Sequence, residues 1–479
     1  MDDRKQNLEA NEGAPDQWCL LPWSHVSVTN SGLFRLCCHS APGKNMGYFR
    51  DKDGKNYHVS NASWKDVYNS EDMKEVRRDM LNGKWPDMCV RCKRESNSGM
   101  TSRNIYERSS MANYVEADNY PSYQKAKALT NPDGSVNEED FPVNLLDIRF
   151  GNLCNLKCVM CGTQNSNQWY DDYHAIWGYT SYRDGNQQVN LIKNEKGKLV
   201  PKNNIYDWDN DPKLWEEINS RIQGLRKIYI VGGEPLMIDA HYDFLQKCID
   251  EGYAKDLVIE YNSNITNIPE RAWKIWPNFK QIQIGVSIDG FGKPNDYIRF
   301  PSKWKKIEEN LKKFTVVDGN FEIHITYTFQ LLNVWQLPEF VEYMLESNYP
   351  RIGPWPTKPL MSPHPAHRPE YFNVNILPQE FKTQIENRFD SYKQKFLSTD
   401  YQEMLGNSNQ ATWEQKVDHA CRILDNMKSF MYSINYTEEE LINYRQQFLK
   451  VVDTLDSRRK TNWKEMFPEI YEATKDWYG

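Results

Sequence analysis

From about residue 143 the chain settles into a regular alternation of apolar and polar positions. Five runs rich in β-branched and aromatic residues predict strands: VNLLDIRF (143–150), RKIYIVGG (226–233), DLVIEYNS (256–263), KQIQIGVSIDG (280–290) and FEIHITYTFQ (321–330). Between and after them AHYDFLQKCIDEG, PERAWKIWP, KWKKIEENLKKF and LPEFVEYMLES place apolar residues at helical spacing. The charges of KWKKIEENLKKF mark a solvated helix face. Strands alternating with helices predict βαβ units and a parallel sheet.

The rest of the chain departs from this rhythm. Residues 178–210 are a polar insertion, and after about 378 the pattern turns helical, as in EELINYRQQFLKVVDTL. The first 130 residues are irregular apart from SEDMKEVRRDMLNGKW (70–85), a short helix with Asn82-Gly83 as its stop. The expected organisation has three parts. They are a cysteine-rich module (1–130), an α/β barrel (131–375) and a helical C-terminal region (376–479).

Composition adds bounds. Of 479 residues, 39% are hydrophobic and 26% charged, enough for packed cores. A net charge of −7 disfavours nucleic acid and anionic membranes as partners. No apolar run is long enough to span a bilayer, and the polar start MDDRKQNLEANEGAPDQ lacks the apolar stretch of a signal peptide. The expectation is a cytoplasmic protein.

Each unusual stretch falls where a predicted strand ends. CNLKCVMC (154–161) follows the first strand, GGEP (232–235) the second, NSN (262–264) the third and SIDG (287–290) the fourth. In parallel α/β folds these ends share one face, where ligands bind. Cys154, Cys158 and Cys161 stop one thiol short of a full metal shell. Three such thiols suit three irons of a 4Fe–4S cube, with the fourth iron left open. The alternatives are zinc with a distant fourth ligand, or three unrelated thiols.

CNLKCVMC, GGEP and SIDG, in that order on a βα rhythm, resemble the radical S-adenosylmethionine superfamily over about residues 143–360. The resemblance implies a partial (β/α)6 barrel. It implies that Cys154, Cys158 and Cys161 hold a 4Fe–4S cluster, with S-adenosylmethionine chelating the open iron. Gly232, Gly233, Glu234 and Pro235 match the stretch whose backbone meets the methionine amino group. Asn262, Asn264, Ser287 and Asp289 fall where polar side chains approach the cofactor. Arg299 matches an arginine frequent in peptide-modifying members. Met160 stands where the family often has an aromatic. The implied chemistry is reductive cleavage to a 5′-deoxyadenosyl radical that abstracts hydrogen from a substrate.

Cys19, Cys37, Cys89 and Cys92 form a second thiol set, which as bare spacing fits zinc and an iron–sulfur cluster equally. Gly32, with four residues between it and Cys37 in a C…G-x4-C pattern, resembles the SPASM and twitch auxiliary-cluster modules. That resemblance implies one auxiliary 4Fe–4S cluster, placed N-terminal to the barrel. Cys38, His39 and His25 are alternative ligands, with a packed, inert Cys38 as the plainer reading. Cys248 and Cys421 fit small buried hydrophobes.

The expected function is radical modification of a peptide or small molecule. The auxiliary cluster aids a net oxidation or cross-link, and a flavodoxin or ferredoxin supplies electrons. The alternatives are peptide epimerisation with Cys38 or Cys248 as hydrogen donor, a small-molecule or sugar dehydrogenase, and a non-catalytic zinc-binding protein. Two further readings concern the mouth. The proline-rich stretch 353–369 closes the barrel or serves as a connector. The aromatics of WYDDYHAIWGY wall the substrate site or pack as a helix.

Overall fold

The structure is a computed structural model that describes residues 3–40, 43–97, 102–185, 187–353, 360–409 and 411–479. Eight strands form the main sheet: β1 (His25–Val28), β2 (Phe34–Arg35), β3 (Leu145–Phe150), β4 (Lys227–Gly232), β5 (Val258–Ser263), β6 (Gln281–Ser287), β7 (Phe321–Phe329) and β8 (Met361–Pro365). Their spatial order is β8-β7-β6-β5-β4-β3-β1-β2. From β3 to β8 the strands lie in sequence order, each parallel to the last. Helices Asp239–Asp250, Glu270–Ile275, Trp304–Lys313 and Leu337–Ser347 connect them. Among the described residues β8 and β2 are the two edges, so the six-stranded barrel stays open.

The five strands read from the alternation form within a few residues of their expected bounds. The N-terminal region is less separate than expected. Its β1 runs parallel to β3, with His25 opposite Leu145 and Ser27 opposite Asp147, so it extends the barrel sheet. β8 was not legible as a strand. Its MSPHP carries two prolines, tolerated at a sheet edge because that side needs no N–H donors. Residues 354–359 of the proline-rich stretch lie outside the described residues.

Strand alternation sorts the two faces. Phe321, Ile323, Ile325, Tyr327 and Phe329 of β7 pack into the core under the helices, beside Trp273, Trp276 and Phe314. The opposite face is polar. Across the register, Arg35, Ser27, Asp147, Tyr229, Glu260, Gln283 and Glu322 stand in one rank from β2 to β7. Of this row Tyr229 and Glu260 line a chamber, whereas Ser27, Asp147 and Gln283 are buried.

The polar insertion forms its own antiparallel sheet, Ser181–Asp184, Gln187–Lys193 and Leu199–Pro201. Its small core includes Tyr182, Val189, Leu191 and Tyr206. WYDDYHAIWGY contains helix Tyr170–Trp177, which packs against the C-terminal helix Glu438–Arg459. There Asp172 receives Arg458 at 2.7 Å, Lys157 at 3.0 Å and Arg459 at 3.1 Å. Burial opposes ionisation of Asp172, yet these cations hold its carboxyl below the usual range. The C-terminal region thereby braces the cysteine loop from behind, through Lys157.

Candidate functional site

The loop after β3 is fixed at nearly every residue. Leu153 O accepts from Glu234 N at 2.8 Å. The Asn155 side chain donates to Thr266 Oγ1 at 2.7 Å and accepts from Asn264 Nδ2 at 2.9 Å. Lys157 N and Val159 N each donate at 2.8 Å, to Phe300 O and Ile298 O. Ser166 Oγ donates to Leu156 O at 2.6 Å, and Trp169 Nε1 to Cys158 O at 3.0 Å. The loop is irregular, yet its polar groups are satisfied. What it presents is three sulfurs, with Cys154 and Cys158 packed around Leu156 and Cys161 beside them.

Gly232 and Gly233 are glycines because this loop lies against them. A Cβ on Gly232, which has φ +144°, would sit 2.3 Å from Phe150 O, and one on Gly233 would sit 2.3 Å from Leu153 O. Glu234 is buried and ties three strand ends together. Its carboxylate accepts from Ser263 Oγ at 2.7 Å, Asn264 N at 2.8 Å and Leu236 N at 3.2 Å. Pro235 opens the short helical turn Pro235–Met237. Asp289 is fully buried. It accepts from Thr328 N at 2.6 Å and pairs with Arg299 at 2.7 Å. Arg299 in turn offsets charge at Cys158 and Cys161.

Burial pushes the Cys158 thiol up to about 12 and raises Cys161 and Cys154 as well. Thiols so placed ionise only against a cation. Iron supplies one, so the donor set fits a cluster. Leu156 N donates to Cys154 Sγ at 3.4 Å, a contact that stabilises a sulfur ligand.

The second thiol set also assembles. Cys19, Cys37, Cys89 and Cys92 line one enclosed cavity with Leu21, Met80 and Trp85. Burial raises all four thiols, Cys37 to about 12. The amides of Leu21, His39 and Asn104 donate toward Cys19, Cys37 and Cys92. This arrangement also fits a cluster. The three alternative ligands separate. Cys38 faces away from the cavity, against Arg103. His25 sits in β1, 4.0 Å from Asp147. His39 alone adjoins the set, with a ring nitrogen within 4.8 Å of Cys92 Sγ and a Glu95 oxygen.

Beside the four-thiol cavity, and sharing Arg103 with it, lies a chamber of about 440 Å³, a size usual for small-molecule sites. Cys38, His39, Arg103 and Glu107 of the N-terminal module form one wall; Tyr229, Asn262, Thr326 and His364 belong to the opposite one. Asn262 donates to Tyr229 Oη at 2.7 Å, and Ser287 Oγ lies 3.4 Å from Thr326 Oγ1. Asn262 and Ser287 therefore mark the chamber and its rim, whereas Asn264 and Asp289 brace the cysteine loop and the strand ends. His364, from the proline-rich stretch, lines the chamber. Trp177 and Tyr173 line a separate cleft of about 460 Å³ beside Met160 and Cys161. Cys248 is fully buried as expected; Cys421 is only partly buried, because it lies off the buried stripe Ala420, Ile423, Leu424 and Met427 of its helix Trp413–Phe430.

Sequence reasoning missed Thr266 and Asp172, which support the loop, and the charged group around Asp147. One signal for the last was present. Asp147 and Arg149 alternate with apolar residues inside LLDIRF, an arrangement that places both on one strand face.

Residues 19–93 match the family model of SPASM, an iron–sulfur cluster-binding domain. No curated protein matches the chain. Among solved structures, the chain is similar to SuiB of Streptococcus suis bound to S-adenosylmethionine, at 16% identity and TM-score 0.33, over 71% of this chain and 65% of that one. It is similar to SuiB bound to the precursor peptide SuiA at 15% identity and TM-score 0.31, over 73% and 72%. It is similar to native anSMEcpe with bound AdoMet at 15% identity and TM-score 0.35, over 66% and 98%. The match spans less than two thirds of the first SuiB chain, and at these scores the likenesses assign no activity. Residues 19–93 thus match a SPASM iron–sulfur cluster-binding domain, and the open parallel barrel joined to them carries CNLKCVMC, GGEP, NSN and SIDG at its strand ends.

Proposed function

We propose that the protein is a radical S-adenosylmethionine enzyme that oxidises or cross-links its substrate, with an auxiliary cluster as electron acceptor. One observation carries the reading. The four strand-end motifs form a single bonded unit, in which Glu234 joins the cysteine loop to Ser263 and Asn264, and the Asp289–Arg299 pair stands beside Cys158. Bound there, a 4Fe–4S cluster and S-adenosylmethionine supply a 5′-deoxyadenosyl radical on reduction. The protein's own part is to hold Cys154, Cys158 and Cys161 on a fixed backbone and to set a chamber beside the four-thiol cavity, with Arg103 lining both. The substrate is proposed to sit in this chamber. It is proposed to be a peptide or a small molecule, and the electron donor a flavodoxin or ferredoxin.

The test is 5′-deoxyadenosine formation by anaerobically reconstituted protein with dithionite and S-adenosylmethionine. Formation in the wild type that is absent from Cys158→Ala supports the reading. Equal formation by both proteins defeats it.

Cys38 on the chamber wall favours a second reading, epimerisation, in which its S–H returns a hydrogen atom to the substrate radical. Cys248, enclosed in the core, does not reach the chamber and drops out as a donor. Deuterium from solvent at the product carbon would mark that route, and a cross-linked product without it would exclude it.

A further inference from the structure

Beside Arg103, which lines both the chamber and the four-thiol cavity, stands an unusual group of charges. Three arginines from three segments gather there: Arg35 on β2, Arg103 on helix Arg103–Met111 and Arg149 on β3. They share one fully buried carboxylate, Asp147, which stands 3.9 Å from Arg103 and 3.8 Å from Arg149. These separations exceed those of direct charge-assisted hydrogen bonds. Glu107 takes Arg103 at 3.3 Å. Arg35 and Arg149 lie close enough to oppose each other's charge. Three cations thus face two carboxylates.

The hydrogen bonds are also incomplete. Both oxygens of Asp147, both ring nitrogens of His25, Ser27 Oγ and the Nε of each arginine are buried without a hydrogen-bond partner. His25 and Ser27 are each 1% exposed. Burial lowers the His25 imidazole to about 3, so it adds no charge. Buried polar atoms are rarely left unpaired, and here they cluster around one spot beside Arg103, which opens onto the chamber.

We propose that this group is an oxyanion-binding site, in which Arg35, Arg103 and Arg149 hold a carboxylate or phosphate of the substrate. An acidic group anchored there orients the rest of the substrate along the chamber, past Tyr229 and Asn262, toward the strand ends that carry the cysteine loop. Guanidinium forks suit such planar or tetrahedral oxyanions, and a net positive wall selects them over neutral analogues. The proposal rests on the chamber being the substrate site. Anion binding does not need cofactor cleavage, so the two readings fail separately.

Calorimetric titration of the anaerobically purified full chain with acetate, inorganic phosphate and chloride, at constant ionic strength, tests it. Saturable binding of acetate alone points to a carboxylate substrate, and of phosphate alone to a phosphorylated one. Arg149→Gln is expected to weaken that binding about tenfold or more, the worth of a charge-assisted hydrogen bond. Asp147→Asn removes the competing carboxylate without changing shape and is expected to tighten binding several-fold. That variant decides the matter if Arg149→Gln does not fold, as judged by circular dichroism. No saturable binding of either oxyanion, binding matched by chloride, or binding unchanged in the variants would overturn the proposal.

Discussion

Cys154, Cys158 and Cys161 sit within eight residues of one loop, whereas Cys19, Cys37, Cys89 and Cys92 come from separated segments of the N-terminal module. The first set is held by the backbone. Asn155, Lys157, Val159 and Ser166 pin the loop to three neighbouring segments independently of its sulfurs. The second set is held by elements meeting at a distance: the turn Leu21–Trp23, the end of β2, and helix Val90–Asn97. Its cavity is apolar apart from the thiols, Gln17, Arg103 and Asn104. A preorganised loop keeps its shape as ligands come and go, while a scattered set depends on its metal to complete the fold.

That contrast can be broken most sharply at the cysteines. Cys158→Ala is expected to abolish 5′-deoxyadenosine formation while the barrel still folds, read by product assay and circular dichroism. Cys89→Ala should behave differently. It is expected to lose about half the bound iron, one of two clusters, while keeping cofactor cleavage and losing substrate conversion. If Cys89→Ala retains full conversion, the auxiliary set has no part in the reaction.

The support of the loop is open to a milder probe. Gly233→Ala drives a methyl against Leu153 O and is expected to cost about 2–3 kcal/mol of stability, measured by denaturant unfolding. The smallest effect lies in the core beneath the loop, where the His241 ring stacks on Phe150. Burial lowers the His241 imidazole from 6.5 to about 3, so between those values the unfolded chain binds a proton that the native state refuses. Stability is then full above pH 6.5 and falls on acidification, by about 2 kcal/mol at pH 5. His241→Phe should flatten that slope in unfolding curves taken from pH 5 to 7.5.

The same contrast explains what the sequence could disclose. The barrel strands and the cysteine loop are local patterns, legible because alternation and spacing act over a few residues. Glu234, Asn264 and Asp289 fell at strand ends, and the structure places them there. The bonds that Glu234 and Asn264 make, to Ser263 and Asn155, join segments 29 and 109 residues apart and leave no local mark. The N-terminal module was harder still. β1 is four residues long and is defined by its pairing with β3, about 120 residues away in sequence. Cys38 differs from Cys37 only in the direction of its side chain, which the chain around Arg103 decides.

The most direct test compares the electron paramagnetic resonance of the two knockouts. Reduced protein lacking the auxiliary set (Cys19, Cys37, Cys89 and Cys92 to Ala) should show one 4Fe–4S signal that shifts on adding S-adenosylmethionine. Reduced protein lacking Cys154, Cys158 and Cys161 should show one signal that does not. Zinc in place of iron at either set, or a signal from the loop triad that ignores S-adenosylmethionine, would contradict the account.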